Sequence, residues 1–351
     1  METPGLVALF GSGETTVSAQ RVYSRLFANL SGPVQLGVLE TPAGFELNSA
    51  WVAGRLGRYV EQHLQNFSPQ VTIVPARRRG TPFSPDNPEI VAPLLSCNAF
   101  FMGAGSPTYT VRQLRGSLAW DIVRARHRLG AGVVFASAAV LAMSAYTIPV
   151  YEIYKVGEDV HWQEGLDFLA PFDLHLAIVP HWNNTDGGAT LDTSRCWMGL
   201  PRFAQLLSTL PDGVTVVGID EHTGLVIDLQ SQMCEVIGPG GVTLLCGGYE
   251  RSIASSASFP ISELGDFEIP DAPGDIAPAI LQSVRRAASD ATQAAEAGPP
   301  AEVLALVSER DRARAERAWG RADLIRDQLR DMGWSLRDTP DGPQAVRDPG
   351  Q

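Results

Sequence analysis

The chain reads as an α/β protein: a mostly parallel sheet sandwiched by helices, followed by a small C-terminal helical module. Three observations carry that reading. Over residues 1–250 short apolar runs alternate with helical patterns. The apolar runs are near-continuous instead of alternating with polar residues, as strands covered on both faces require. Past residue 300 the composition changes to a charged helical run.

Taken in order, strands are predicted at 6–10, 34–40, 71–75, 99–102, 131–135, 174–179, 215–220 and 224–228, with helices at 16–30, 49–67, 109–129 and 201–210 between them. Residues 226–236 and 242–246 read as a closing hairpin turned by Gly238-Pro239-Gly240-Gly241, because glycine supplies the positive φ that tight turns need. Residues 259–278, rich in Pro and Asp, read as a loop, and 279–297 as an alanine-rich helix punctuated by Gly298-Pro299-Pro300. In the tail a stripe of Leu304, Val307, Ala315, Ala318, Leu324, Ile325 and Leu329 predicts two short packed helices with a break near Trp319-Gly320. The closing Gly333-Trp334-Ser335-Leu336 and Asp338-Thr339-Pro340-Asp341-Gly342 follow. This divides the chain into a domain at 1–255, a loop and helical linker at 256–300 and a helical module at 301–345.

Composition narrows the function. A net charge of −12 on 351 residues argues against a nucleic-acid or anionic-membrane binder, since phosphate binding needs a basic surface. The tail between Glu302 and Asp348 mixes acidic and arginine side chains almost evenly, so its charges satisfy one another. No apolar run is long enough to span a bilayer, and the start, Met-Glu-Thr-Pro-Gly-Leu, has neither the basic nor the apolar region of a signal peptide. Cys97, Cys196, Cys234 and Cys246 are scattered without a CxxC and read as free thiols in a reducing compartment. The expected location is the cytoplasm.

Ligands of parallel sheets bind at the carboxyl ends of the strands, and the candidate site residues gather there: 11–14, 41–45, 103–107, Ser137 and His181. The run Gly-Ala-Gly-Val-Val-Phe-Ala-Ser-Ala-Ala-Val-Leu-Ala-Met drives an apolar strand into Ser137 and leaves it as a helix. Such a nucleophile elbow presents a serine beside the backbone N–H groups of a helix start. The competing reading is a buried serine bonded to nearby backbone. Gly11-Ser12-Gly13-Glu14 lacks the third glycine of a dinucleotide fingerprint, where Thr16 stands, and reads instead as a turn lining a site. Gly103-Ala104-Gly105-Ser106-Pro107 is a second such loop, able to turn N–H groups toward a substrate oxygen. A serine needs a base to take its proton and an acid to fix that base. Arg112 and Arg195 could hold a substrate carboxylate bidentately, and Asn183 and Asn184 could line the pocket; capping and surface ion pairs are the competing roles. No metal-ligand spacing and no cofactor motif stands out.

These motifs occur in one order: Gly-x-Gly-Glu, Gly-Ala-Gly-Ser-Pro followed by Val-Arg-Gln-Leu, the serine turn, Val-Pro-His, and Gly-Ile-Asp-Glu-His-Thr-Gly-Leu-Val. The order resembles the S51 peptidase family, the aspartyl dipeptidase and cyanophycinase group, over residues 5–250. The resemblance implies a class I glutamine-amidotransferase-like fold with Ser137 as nucleophile, His181 as base and oxyanion donors at the N–H groups of Gly105 and Ala138. It further implies an acid between serine and histidine, placed at Glu152 with Glu158 in reserve. The family's Gly-x-Ser-Ala-Gly is changed here: Phe135 and Ala139 replace the glycines, where side chains crowd an elbow. The function this implies is hydrolysis of a small peptide or amide by a Ser-His-Glu triad. The alternative is a degenerate domain that binds an amino acid or peptide and docks a partner through the tail. The partner expected is an amino-acid-derived substrate, without membrane or nucleic acid; a homodimer, or a protein docked on the C-terminal module, is left open. Residues 314–342 are similar to the C-terminal segment of cysteinyl-tRNA synthetases, while nothing resembles the synthetase HIGH or KMSKS signatures.

Overall fold

The computed structural model describes residues 3–270, 275–297, 299–339 and 342–347. Gly298, residues 271–274 of the expected loop, and Pro340-Asp341 of the closing turn lie outside them. The chain divides into two compact units, Met1–Arg286 and Ala287–Gln351.

In chain order the first unit runs β1 Val7–Phe10, α1 Ala19–Phe27, β2 Gln35–Leu39, α2 Ser49–His63, β3 Gln70–Val74, α3 Pro88–Val91, β4 Ala99–Met102, α4 Pro107–Leu114, α5 Leu118–Arg128, β5 Gly132–Ala136 and α6 Ala138–Met143. A two-stranded ribbon of β6 Tyr146–Thr147 and β7 Gln163–Glu164 follows, then β8 Leu176–Val179, α7 Gly199–Thr209, β9 Thr215–Ile219, β10 Gly224–Asp228, β11 Met233–Ile237, β12 Val242–Cys246, β13 Tyr249–Ile253 and β14 Ser258–Pro260. Helix α8, Pro278–Ala297, crosses the boundary between the units.

The main sheet has the order β14-β11-β10-β1-β5-β4-β2-β3. Strands β1, β5, β4, β2 and β3 are parallel, and β10, β11 and β14 add an antiparallel edge. A second sheet, β13-β12-β9-β8, pairs β8 and β9 in parallel. Alternation along each strand sends side chains to two layers. Val133 and Phe135 of β5 enter one core with Trp120, Phe168 and Phe172, while Val134 and Ala136 enter the other with Phe10, Tyr23 and Leu26. Each fully buried large apolar side chain stabilises by about 2 kcal/mol, which is why these strands are apolar throughout.

Three expectations change. The helix expected at 109–129 is two helices: Gly116 turns with φ +62°, and Ser117 starts α5 by accepting the Trp120 N–H at 3.2 Å, because a serine satisfies a free N–H of a first turn better than an ongoing helix would. Strands β11 and β12 are not a hairpin; β11 pairs with β10 and β12 with β9. The glycine run between them carries the chain from one sheet to the other, where a Cβ on Gly240 would fall 2.5 Å from the Asp220 Cβ. The segment expected as a loop holds β14, and its Phe259, Ile261, Leu264 and Ile276 are core residues.

In the second unit, α9 Ala301–Ala315 and α10 Trp319–Asp331 precede a hairpin of β15 Trp334–Thr339 and β16 Gly342–Arg347. Val303, Val307, Ile325 and Leu329 form its core, with Trp334, Leu336 and Ala345 packed against them.

Candidate active site

The parallel strand β5 ends at Ala136, and the chain turns at Ser137 with φ 53° and ψ −116° before entering α6. A non-glycine residue holds such a conformation only when its surroundings impose it. Here the Ser137 N–H donates to the Phe10 carbonyl at 3.3 Å, and its own carbonyl accepts from Val140 at 3.0 Å. The two side chains that replace the expected glycines fit. Phe135 points into the core, edge-on to Phe168 at 5.3 Å, on the sheet face opposite Ala136. Ala139 is buried, with its N–H donating to the Gly103 carbonyl at 3.3 Å.

Ser137 Oγ lies 2.9 Å from His181 Nε2, and His181 Nδ1 lies 2.9 Å from Glu221 Oε1. His181 follows β8, itself at φ 53°, with its N–H on the Gly11 carbonyl at 3.1 Å and the Trp197 ring 4.9 Å from its own. Glu221 follows β9, so strand ends deliver all three groups. The N-terminal glycine turn is the floor of this arrangement: a Cβ on Gly11 would fall 2.1 Å from the Asp220 carbonyl oxygen, and the His222 N–H donates to Ser12 Oγ at 3.1 Å. Only a side-chain-free backbone passes so close.

The carboxylate on the histidine is therefore Glu221, and Glu152 is elsewhere. Glu152 Oε1 accepts from Thr108 Oγ1 at 2.6 Å, and its Oε2 is buried with no hydrogen-bond partner among the described residues. Glu158 is exposed and donates its N–H to the Glu152 carbonyl. The expectation of an acid between Ser137 and His181 used chain order, whereas the fold assembles a triad in any order. The available signal was position: Glu221 stands two residues past the end of a buried strand, as Ser137 and His181 each stand one or two past theirs.

On the serine's other side, Gly105 adopts φ +150°, and a Cβ there would fall 1.9 Å from the Pro42 carbonyl oxygen. Ser106 starts α4 by accepting the Tyr109 N–H at 3.2 Å, with Pro107 in the first turn. No backbone carbonyl among the described residues accepts from the N–H of Gly105 or Ala138. A cleft of about 650 Å³ lies on this α4 flank, lined by Arg78, Arg112, Phe45, Thr108 and Glu152 among others. Arg112 stacks over Tyr109 with its guanidinium 5.3 Å from the ring centre.

The remaining residues expected to touch substrate bond within the protein. Asn183 Oδ1 accepts the Glu221 N–H at 2.8 Å, and Asn184 Nδ2 donates to Glu221 Oε1 at 2.9 Å. Arg195 lies over the Trp182 ring at 3.9 Å and donates to the Trp182 carbonyl at 2.9 Å. Cys196, beside His181, has its thiol pushed up by burial and then by the Glu221 charge, so it stays protonated and is not a competing nucleophile. No group of three or more His, Cys, Asp or Glu among the described residues could hold a metal ion. No helix among the described residues is long and apolar enough to cross a membrane.

The first unit has an α/β fold similar to that of solved peptidases, and the C-terminal segment resembles that of cysteinyl-tRNA synthetases. A solved peptidase from an acI-B1 Actinobacterium superposes with a TM-score of 0.59 at 23% identity, covering 74% of this chain and 98% of its own. Residues 296–347 match the cysteinyl-tRNA ligase anticodon binding domain. The cysteine–tRNA ligase of Lactobacillus helveticus is 46% identical over 52 residues, 15% of this chain and 11% of the ligase. That of Burkholderia lata is 54% identical over 43 residues, 12% of this chain and 9% of the ligase. The chain thus spans about a tenth of the length of these relatives.

Proposed function

We propose that the first unit is a serine hydrolase of a small peptide or amide, acting through Ser137, His181 and Glu221. The observation that supports this most is the unbroken line of contacts from Ser137 Oγ through the imidazole to the Glu221 carboxylate. Ser137 Oγ attacks the carbonyl carbon while His181 Nε2 takes the hydroxyl proton and passes it to the leaving amine. Water then attacks the acyl-serine by the same route in reverse. Glu221 keeps the Nδ1 proton in place and stabilises the imidazolium. The N–H groups of Gly105 and Ala138 receive the oxyanion, each donor lowering the barrier by about 3 kcal/mol. Substrate lies in the α4 cleft, where Arg112 and Arg78 suit a carboxylate.

The test is intact-mass detection of fluorophosphonate labelling beside a Ser137→Ala control. One adduct on the native chain and none on the control supports the reading. No adduct on folded protein overturns it and leaves a ligand-binding domain.

A further inference from the structure

Asn184 lies at the edge of the same site, in a run of polar residues that reads as substrate-lining from sequence. Its side chain is instead 2% exposed and bonded at both ends. The Asp186 N–H donates to Oδ1 at 3.1 Å, and Nδ2 donates to Glu221 Oε1 at 2.9 Å. The first contact settles the amide's orientation: an N–H donor demands the oxygen on that side, so the NH₂ must face the carboxylate. The oxygen it reaches is the same one that faces His181 Nδ1. Glu221 Oε1 is thus held between two donors, and a carboxylate with one oxygen fixed in two directions cannot rotate off the ring.

Among the described residues no other side chain donates to Glu221 Oε1. Among the described residues no arginine or lysine pairs with Glu221. Asp220 is committed to the Gly241 N–H at 2.8 Å, and Arg195 to Trp182. His222 stands against Gly13, Cys196 is held protonated, and Asp186 contributes only its backbone. The loop that carries Asn184 is fastened independently. Thr193 Oγ1 accepts the Gly187 N–H at 3.0 Å and donates to the Asn184 carbonyl at 3.4 Å. Cys196 N–H donates to the His181 carbonyl at 3.2 Å.

We infer that Asn184 is a positioning residue, whose amide orients the Glu221 carboxylate on His181 and so sets the reactivity of Ser137. This rests on the hydrolase reading above. Outer partners that orient metal-ligating carboxylates and imidazoles change activity 10–100-fold when removed, and a carboxylate that must face a catalytic imidazole is held by the same kind of bond.

The experiment measures the fluorophosphonate labelling rate of the full chain against pH for the native protein, Asn184→Ala, Asn184→Asp and Thr193→Val, with thermal melting as the check of folding. Asn184→Ala is expected to slow labelling about 10–100-fold across the profile. Asn184→Asp places two carboxyl groups in contact, and these cannot both be ionised cheaply. While the new carboxyl keeps its proton it donates it to Glu221 as the amide did, and labelling rises with pH as in the native protein. As the pH rises that proton leaves, the groups repel, and the rate falls where the native rate has reached its plateau. Thr193→Val, which loosens the loop without touching Glu221, should keep the native pH profile. A native protein that labels, with an Asn184→Asp profile parallel to its own, overturns the inference and leaves the hydrolase reading standing. The same profile change in Thr193→Val also overturns it, because loop packing then suffices. A native protein that never labels overturns both.

Discussion

Ser137 carries a backbone conformation, φ 53° and ψ −116°, that glycine enters freely and an L side chain resists. Both Ser137→Ala and Ser137→Gly remove the hydroxyl and its contact with His181, so comparing them isolates the backbone. Ser137→Gly is expected to be the more stable by about 1 kcal/mol, read from urea unfolding midpoints; an alanine variant of equal or greater stability would show the turn to be unstrained. The acid is separable in the same way. Glu221→Gln should slow labelling on the order of 10³-fold, since an amide cannot hold the imidazolium, and Glu152→Gln by less than about tenfold. A reversed ranking would return the acid to Glu152. The contact between Ser137 and His181 was legible because strand-end motifs in a fixed order mark both residues. Glu221 was not, because nothing along a chain says which of several strand-end carboxylates will face a given ring.

Helix α5 shows what burial does to an element. His127, near its end, is 1% exposed, with Nε2 on the Gly5 carbonyl at 2.9 Å and the Phe168 and Phe172 rings around it. Burial, and then the Arg128 charge, lower its pKa from 6.5 to about 3. The folded state therefore binds fewer protons than the unfolded one between those values, and stability is full above pH 6.5 and is lost as pH falls through that window. The slope reaches about 1.4 kcal/mol per pH unit. His127→Gln should flatten it in urea melts taken across that range; an unchanged slope would assign the acid sensitivity to other groups. Strand β5 gives a second prediction. Phe135 is 1% exposed between Trp120 and Phe168, so Phe135→Ala should cost about 3–5 kcal/mol. Far from crowding the elbow, the ring anchors the strand that presents it. The joins were harder to read than the strands, because Ser117 and the 238–241 glycines act through turn geometry and packing.

At the scale of the whole molecule, charge decides what the C-terminal unit is expected to meet. Its resemblance to an anticodon binding domain sits in a chain of net charge −12, and arginines such as Arg321 and Arg326 pair with Glu309 and Asp323. Neutralising phosphates requires free cations, so the full chain should not retain bulk tRNA in a filter-binding assay near physiological salt. Retention that falls steeply with added salt would reverse that expectation.

The sequence by itself determined the sheet and its covered faces, and it singled out Ser137 and His181, at strand ends, which the structure places 2.9 Å apart. These follow from local apolar runs and turn residues, which act over a few positions. Only the tertiary structure decided which carboxylate completes the line, that Asn183 and Asn184 serve that carboxylate, and that a phenylalanine suits the turn. Each of these depends on which strand ends lie side by side, and the topology brings Ser137, His181 and Glu221 together from positions 44 and 40 residues apart.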